Sequence, residues 1–538
     1  MKNCGLRISG LIFLNPPFAI RNCERCLMKI LRLSAILSLA SLPLWIASNA
    51  CGRTDPDVRA PAVAGQFYPS NPAHLKLAVQ QFLKDAVTVS IEKPMAIVVP
   101  HAGYIFAGQI CADAYRQVMG RNYDLIVILG TNHTVSNING FSVYSRGAFQ
   151  TPLGLAPIDD GVAAALLAKD ENCTSDREAH VREHSVEVQV PFIQVLFPAA
   201  KIVPIVVGTN DLKMCTHFGQ ALAKVLKGRQ ALIVISSDLS HYPSYEDAIS
   251  VDRKTLETIL KLDPKEFSAR TRSSFGNIRN LVTYACGEAP ILAGLVAAKA
   301  MGATQATLVS YANSGDVAAA GDRSRVVGYG AVVLSTGTAP AQSKAPNPSA
   351  SASTETPLQA ADKKALLKLA RETIKRYLTT ETVPLARGFS SRVDLPQGAF
   401  VTLKKHGELR GCIGHIPPDF QLCQTVAGMA AQAAFNDQRF PPVQLKELED
   451  IEIEISALTP MKPVLSTDEI KIGRDGVVIF KDGKSAVFLP QVAVEQKWGR
   501  NELLDNLCLK AGLPIGSWKH GARFEVFQAE VFSESEIK

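Results

Sequence analysis

Residues 95–104 read MAIVVPHAGY. A run of apolar and β-branched residues stops at Pro100 and the next residue is His101, the pattern of a buried strand that delivers a histidine at its C-terminal end. Residues 123–133 (YDLIVILGTNH) repeat the arrangement and end on His133, and residues 231–241 (ALIVISSDLSH) repeat it again and supply Asp238 and His241. In open α/β sheets ligands bind beyond the carboxyl ends of the strands. The three strand ends are therefore expected to converge, although they are distant in sequence, and a site is expected where they meet.

Apolar strand-like runs alternate with amphipathic helical stretches on both sides of these segments. Strands are expected near Met95, Leu125, Ile202, Leu232, Thr307 and Val326, and helices over about 109–119, 161–168, 212–226 and 290–299. Such alternation is the mark of a layered α/β domain, here assigned to residues 55–336. Residues 337–357 (GTAPAQSKAPNPSASASTETP) hold almost no large apolar side chain and read as a flexible linker, with the linker drawn over 337–359. From 360 to 538 a second domain of α+β type is expected. It has a helix over 362–378 with Asp362 near the N-cap, strands near 399–403, 451–458, 476–480 and 485–489, and helices near 423–434 and 501–510.

A length of 538 residues suits two or three domains. The formal charge of +7 is small for this length and its Lys and Arg are interspersed with acids, so nucleic acid is not an expected partner. Met28-Lys29, Arg32 and the following LSAILSLASLPLWIASNAC have the charged start, apolar middle and small-residue end of an export signal. Residues 1–54 are accordingly set apart from the fold. Ser48-Asn49-Ala50 suits an ordinary signal peptidase, and Cys51 suits a lipoprotein junction. The chain is expected to be periplasmic or lipid-anchored at Cys51, touching membrane only through that anchor or signal, and cytoplasmic if the signal is not used. From Cys51 onward eight cysteines show no C-x-x-C pair, and most are read as buried thiols.

His101, His133 and His241 with Asp238 form the donor set of imidazoles and a carboxylate that non-haem iron, zinc and copper prefer. Such a set leaves open positions for a substrate. A competing signature is His180-Val181-Arg182-Glu183-His184, the H-x-x-E-H of zinc hydrolases. Cys286 and Glu288 stand near an expected helix start, where turn, packing and pocket roles are all open.

Seven motifs in order, RAPAVAGQFYP (59–69), VPHAGY (99–104), GTNH (130–133), REHSVEVQVPF (182–192), SSDLSHY (236–242), CGEAPI (286–291) and SYANSGD (310–316), resemble the Memo family over residues 59–334. The resemblance implies a fold like that of class III extradiol dioxygenases and a metal pocket. It places the pocket histidines on His101, His133 and His241 and the aspartate on Asp238, as metal shell or acid/base, with Glu183 and His184 as pocket-wall residues. Tyr104 and Asn132 are expected to line the pocket and orient a small oxygen-bearing ligand. Animal members carry a pocket cysteine where Val317 stands here, which leaves three histidines and Asp238 to suffice. The implied cofactor is a divalent metal, Fe(II) favoured and copper or zinc as alternatives, and the implied activity is an oxidoreductase on a small-molecule substrate that the sequence does not select. A non-catalytic metal-binding or scaffold protein is the alternative.

In the second domain LRGCIG (409–414) sets Cys412 between glycines, with His415 three residues on. Cys412 reads either as a reactive thiol or as a buried cysteine in a glycine-bounded turn. This motif, with FNDQRFPPV (435–443), IEIEIS (451–456), FLPQVAVEQKW (488–498) and LCLKAGL (507–513), resembles the AMMECR family across about 360–531. Memo-like and AMMECR-like proteins are partners in the AmmeMemoRadiSam system beside a radical-SAM protein. The resemblance therefore implies a radical-SAM partner, and two system components fused in one chain.

Overall fold

The computed structural model describes residues 57–136, 138–317, 322–337, 353–354 and 356–537. The expected export signal, Cys51 and most of the expected linker lie outside these residues.

The first domain is built on an eight-stranded sheet. Its order is Gln305–Asn313, Gly328–Ser335, Pro94–Val99, Ala231–Ser236, Leu125–Thr131, Lys201–Val207, Phe141–Val143 and Cys173–Thr174. The four strands from Pro94–Val99 to Lys201–Val207 run parallel. Period-two alternation splits their apolar residues between two cores. Ile97, Val99, Ile126 and Ile128 face one core with the helices Pro72–Asp85 and Tyr104–Val118, whereas Ala96, Val98, Leu125 and Val127 face the other with Leu212–Val225 and Glu288–Ala300. Both faces of the sheet are covered, so the strands read as continuous apolar runs. Phe218 on the Leu212–Val225 helix stacks on Phe141 with ring centroids 3.9 Å apart; truncating such a buried ring costs about 3–5 kcal/mol.

The strand expected near Val326 and one further helix are placed more finely by the structure. Val326 does not open a strand; it and Val327 pair with the Tyr242–Pro243 and His241 backbone before the strand Gly328–Ser335 begins. The helix Tyr245–Leu260 is absent from the sequence reading, because its charged outer face dilutes the apolar stripe of Ala248, Val251, Leu256 and Ile259.

The second domain carries two four-stranded antiparallel sheets. Helices Ala360–Thr380 and Leu422–Phe435 cover the first sheet, and Arg500–Lys510 packs with the second. Asp362 sits in the first turn of its helix, where its carboxylate accepts from the Gln359 amide. LRGCIG is not a turn. It lies within the strand Glu408–His415, with Cys412 opposite Thr402. Its glycines serve close approach: a Cβ on Gly411 would lie 2.3 Å from the Ala433 carbonyl oxygen, and one on Gly414 would lie 2.1 Å from the Phe400 ring.

The two domains dock through ion pairs as well as packing. Arg376 pairs with Asp85 at 2.5 Å, and both terminal nitrogens of Arg387 reach the fully buried Asp113 at 2.7 and 2.8 Å. This bidentate geometry is the strong form of such a pair.

Candidate metal centre

His101 follows the strand Pro94–Val99 and is almost wholly buried. Its Nδ1 lies 3.2 Å from Ser236 Oγ. That hydroxyl spends its own proton on the Ser185 carbonyl at 2.6 Å and also accepts from Gln189 Nε2 at 3.1 Å. Toward His101 it can therefore only accept, so the proton of the imidazole sits on Nδ1 and Nε2 presents a lone pair. Burial, joined by the neighbouring imidazoles of His184 and His133, holds His101 well below the usual histidine range and keeps it neutral.

His133 is fixed in the same sense by Glu183. One carboxylate oxygen accepts from the His133 amide at 2.7 Å, while the other lies 2.9 Å from its Nδ1 and accepts from the Ser185 amide at 2.8 Å. Burial raises the Glu183 carboxyl, but these hydrogen bonds from His133 and Ser185 outweigh it and bring it to about 2. An ionised carboxylate only accepts, so His133 also carries its proton on Nδ1 and turns Nε2 free. Fixing an imidazole through its other nitrogen is the usual way a protein orients a metal ligand. His184 completes this side, stacked on His133 with ring centroids 4.5 Å apart and edge-on to His101 at 5.4 Å.

His101, His133 and His184 each offer a ring nitrogen, and these atoms all lie within 4.8 Å of one another. A second set within the same limit joins His101 to Asp238 and Cys286. Asp238 Oδ1 accepts from the amides of His101 at 2.7 Å and Ala102 at 3.3 Å, while Oδ2 stands 3.9 Å from His101 Nε2 and 4.0 Å from His241 Nε2. Burial raises the Asp238 carboxyl, opposed by His241 and the His101 amide. His241 Nε2 is buried and has no hydrogen-bond partner. Orphaned buried nitrogens are rare in folded proteins, and this one stands beside a carboxylate oxygen. Neutral imidazoles, a carboxylate and a thiol are a donor set that fits a transition metal or zinc. These residues could hold one.

Two donors escape recognition as such in the sequence. His184 reads there as a wall residue, and it stands among the clustered nitrogens. Cys286 is open there between packing and pocket, and its Sγ lies 3.0 Å from His101 Nε2. Val317 therefore does not leave the cluster without a thiol, because Cys286 reaches it from another segment. The available signal is the Cys286-Gly287 pair: a Cβ on Gly287 would lie 2.6 Å from that of Ser237, so only glycine lets this helix start lie against the SSD loop. Glu288 points elsewhere, 3.5 Å from Arg272.

The other expected residues have hydrogen-bond partners of their own. Tyr104 packs in the core against Tyr68, Phe82 and Phe192 and donates its hydroxyl to the Val188 carbonyl at 2.8 Å. Asn132 shapes the loop that carries His133, accepting from the Thr134 and Val135 amides. His180 and His184 do not share a helix face, because the helix Glu178–Val181 ends before His184 and His180 Nε2 turns to Ser142; burial brings its pKa to about 3. The hydrolase signature thus has no geometry behind it. Cys412 is buried in the second domain, where its Sγ accepts from Thr402 Oγ1 at 3.3 Å and its amide donates to Asp437 at 2.9 Å.

Residues 59–333 match the Memo-like protein family. A MEMO1 family protein of Methanopyrus kandleri is 36% identical over 294 residues, covering 52% of this chain and 99% of that one. The chain belongs to the Memo-like family. Another family member, from Aquifex aeolicus, is 39% identical over 273 residues, 51% of this chain and 97% of its own length. Residues 367–532 match AMMECR1, so the chain joins a Memo-like domain to an AMMECR1 domain. Among solved structures, an uncharacterised Pyrococcus horikoshii protein is 34% identical, covers 33% of this chain and 94% of its own, and superposes with a TM-score of 0.32.

Proposed function

We propose that the cluster around His101 holds one divalent metal ion and that the chain is a metal-dependent oxidoreductase acting on a small molecule. The observation that carries this reading is the pair of fixed tautomers: Ser236 and Glu183 each hold an Nδ1 proton and leave the Nε2 of His101 and His133 open. His184 completes that set, Asp238 and Cys286 form a second set with His101, and the unpartnered His241 Nε2 gains a role beside Asp238. Fe(II) is the favoured ion, with copper or zinc as alternatives. A bound ion of this kind supplies Lewis acidity toward a substrate oxygen and, for iron or copper, electron transfer. The residues do the rest. Glu183 and Ser236 orient the imidazoles, and Asp238, whose carboxyl burial lifts, is placed to hold a proton near His241.

The fusion to an AMMECR1 domain supports a place in the AmmeMemoRadiSam system, with a radical-SAM protein as partner if the chain stays in the cytoplasm. The N-terminal sequence favours export, in which case the chain works without that partner. Fractionation of cells, with and without residues 28–50, separates the two placements.

Elemental analysis of the purified chain beside a folded His101→Ala/His133→Ala variant tests the metal reading. Near-stoichiometric metal that is lost in the variant is expected. No metal in either, after anaerobic reconstitution with iron, copper and zinc in turn, refutes the reading and leaves a non-catalytic scaffold.

A further inference from the structure

The AMMECR1 domain grips one residue of the first domain, on the segment that pairs with the loop carrying His241. The Arg323 guanidinium lies 3.9 Å from the Tyr245 ring of its own domain and 4.4 Å from the Phe420 ring of the other. It donates to the Asp419 carbonyl and to Gln424 Oε1, the latter at 3.2 Å. Gln424 reaches back, donating through Nε2 to Asp316 Oδ1 at 3.3 Å, the oxygen that also accepts from the Tyr245 hydroxyl at 2.6 Å. Asp419, Phe420 and Gln424 all lie just beyond the LRGCIGH strand, which His415 ends with its ring against Phe420.

From Arg323 the chain runs beside the loop that carries His241. The Tyr245 amide donates to Arg323 at 2.9 Å, Val326 to Pro243 at 2.9 Å, Tyr242 to Val326 at 2.7 Å and Gly328 to Ser240 at 2.9 Å. Tyr242 has a left-handed backbone, with φ of +70°, and Arg325 lies 4.6 Å over its ring. A non-glycine residue keeps such a conformation only where its surroundings over-determine it. The ladder supplies that constraint. The unpartnered His241 Nε2 is thus placed by a backbone ladder whose far end is held by the other domain.

We propose that Arg323 is a positioning residue through which the docked AMMECR1 domain sets the metal affinity of the His241 side of the cluster. This inference rests on the metal reading above. Coupling of this kind is reciprocal: docking tightens metal binding, and metal tightens docking.

The test uses the full chain with Gln424→Ala and, separately, Phe420→Ala, both in the AMMECR1 domain and remote from the donors. Zn2+ affinity is measured by competition with a chromophoric chelator, and amide hydrogen exchange is followed with and without Zn2+. Expected is a loss of about five- to tenfold in Zn2+ affinity, at the lower end of ordinary coupling. Faster exchange at Tyr242 and Gly328 is expected with it, while the strand Leu125–Thr131 exchanges as before. In the unsubstituted chain Zn2+ should slow exchange at the Thr425 amide, at the start of the gripping helix, which a merely structural contact would not do. Zn2+ affinity and Tyr242 exchange unchanged in both variants overturn the proposal. If the unsubstituted chain binds no Zn2+, the competition is repeated anaerobically with Fe(II) and with copper; if none binds, the metal reading fails by itself, and exchange at Tyr242 alone then decides: faster supports the brace, unchanged removes it. Should Phe420→Ala not fold, Gln424→Ala carries the same decision.

Discussion

Replacing Asp252 with asparagine should make the first domain more stable at neutral pH. Asp252 is fully buried on the Tyr245–Leu260 helix, where its carboxylate accepts from the Ser240 amide at 2.9 Å and the Tyr311 hydroxyl at 2.8 Å. Burial raises its carboxyl from 3.8 to about 6, against the pull of those hydrogen bonds. As pH rises through 3.8 the unfolded chain loses this proton first, while the folded chain keeps it until about 6. The unfolded state therefore binds fewer protons across that window, and stability falls with rising pH. A shift of roughly two units corresponds to about 3 kcal/mol at 1.36 kcal/mol per unit, fully developed above pH 6 and absent below 3.8. The amide keeps an acceptor for Ser240 and carries no charge, so the penalty should vanish. Urea denaturation of both proteins between pH 4 and 8 reads the difference. The Asp252→Asn variant should gain on the unsubstituted chain by about 1.4 kcal/mol per pH unit up to pH 6 and hold a constant lead beyond it. A difference that does not vary with pH would refute the reasoning, because it would mean that Asp252 titrates alike in both states.

Glu183→Gln should weaken metal binding by about 10- to 100-fold, the ordinary effect of losing a carboxylate behind a ligating imidazole; unchanged affinity in a chelator competition would show that Glu183 does not orient His133. Gly414→Ala forces a methyl group to within 2.1 Å of the Phe400 ring and should lower second-domain stability by about 1–3 kcal/mol, read as an earlier thermal transition; an unshifted transition counts against the close-approach role of the glycines. Cys412 should resist iodoacetamide in the native chain and react only on unfolding, since it is 7% exposed, with the strand that carries it paired to Ala399–Lys405 at the edge of its sheet. Modification within minutes under native conditions would restore the reactive thiol.

The parallel sheet and its strand-end histidines are legible because three long apolar runs each stop at a loop bearing His or Asp. What stays hidden has physical causes. The imidazole of His184 and the thiol of Cys286 come from a loop and a helix start, which carry no periodicity, and they meet His101 only through tertiary packing. Nearness to His101 in sequence draws Tyr104 to the pocket. Opening a helix turns its ring inward instead, onto Phe82 and Phe192. LRGCIG reads as a turn because glycine permits turns. Neither Gly411 nor Gly414 uses a left-handed backbone, however; each gives up its side chain to a neighbour, Ala433 or Phe400.

The segment REHSVEVQVPF does more for the cluster than its one or two donors suggest. Glu183 fixes the tautomer of His133, and the Ser185 carbonyl takes the Ser236 proton and so fixes that of His101. Gln189 holds Ser236 and the Pro100 carbonyl together at 3.1 and 2.8 Å. Ser185 also closes on the strand that leads to His133, donating to the Thr131 carbonyl, and a Cβ on Gly130 would lie 2.5 Å from its hydroxyl oxygen. Glu187 in turn ties the same segment to Arg59 and Tyr68, at the start of the Memo-like region. The direction in which two imidazoles present their lone pairs therefore depends on one short path, from Glu183 to Gln189, that contributes only His184 among the clustered nitrogens. A cluster assembled from three strand ends needs such a path, because the strands set where the histidines begin and leave open which nitrogen faces inward.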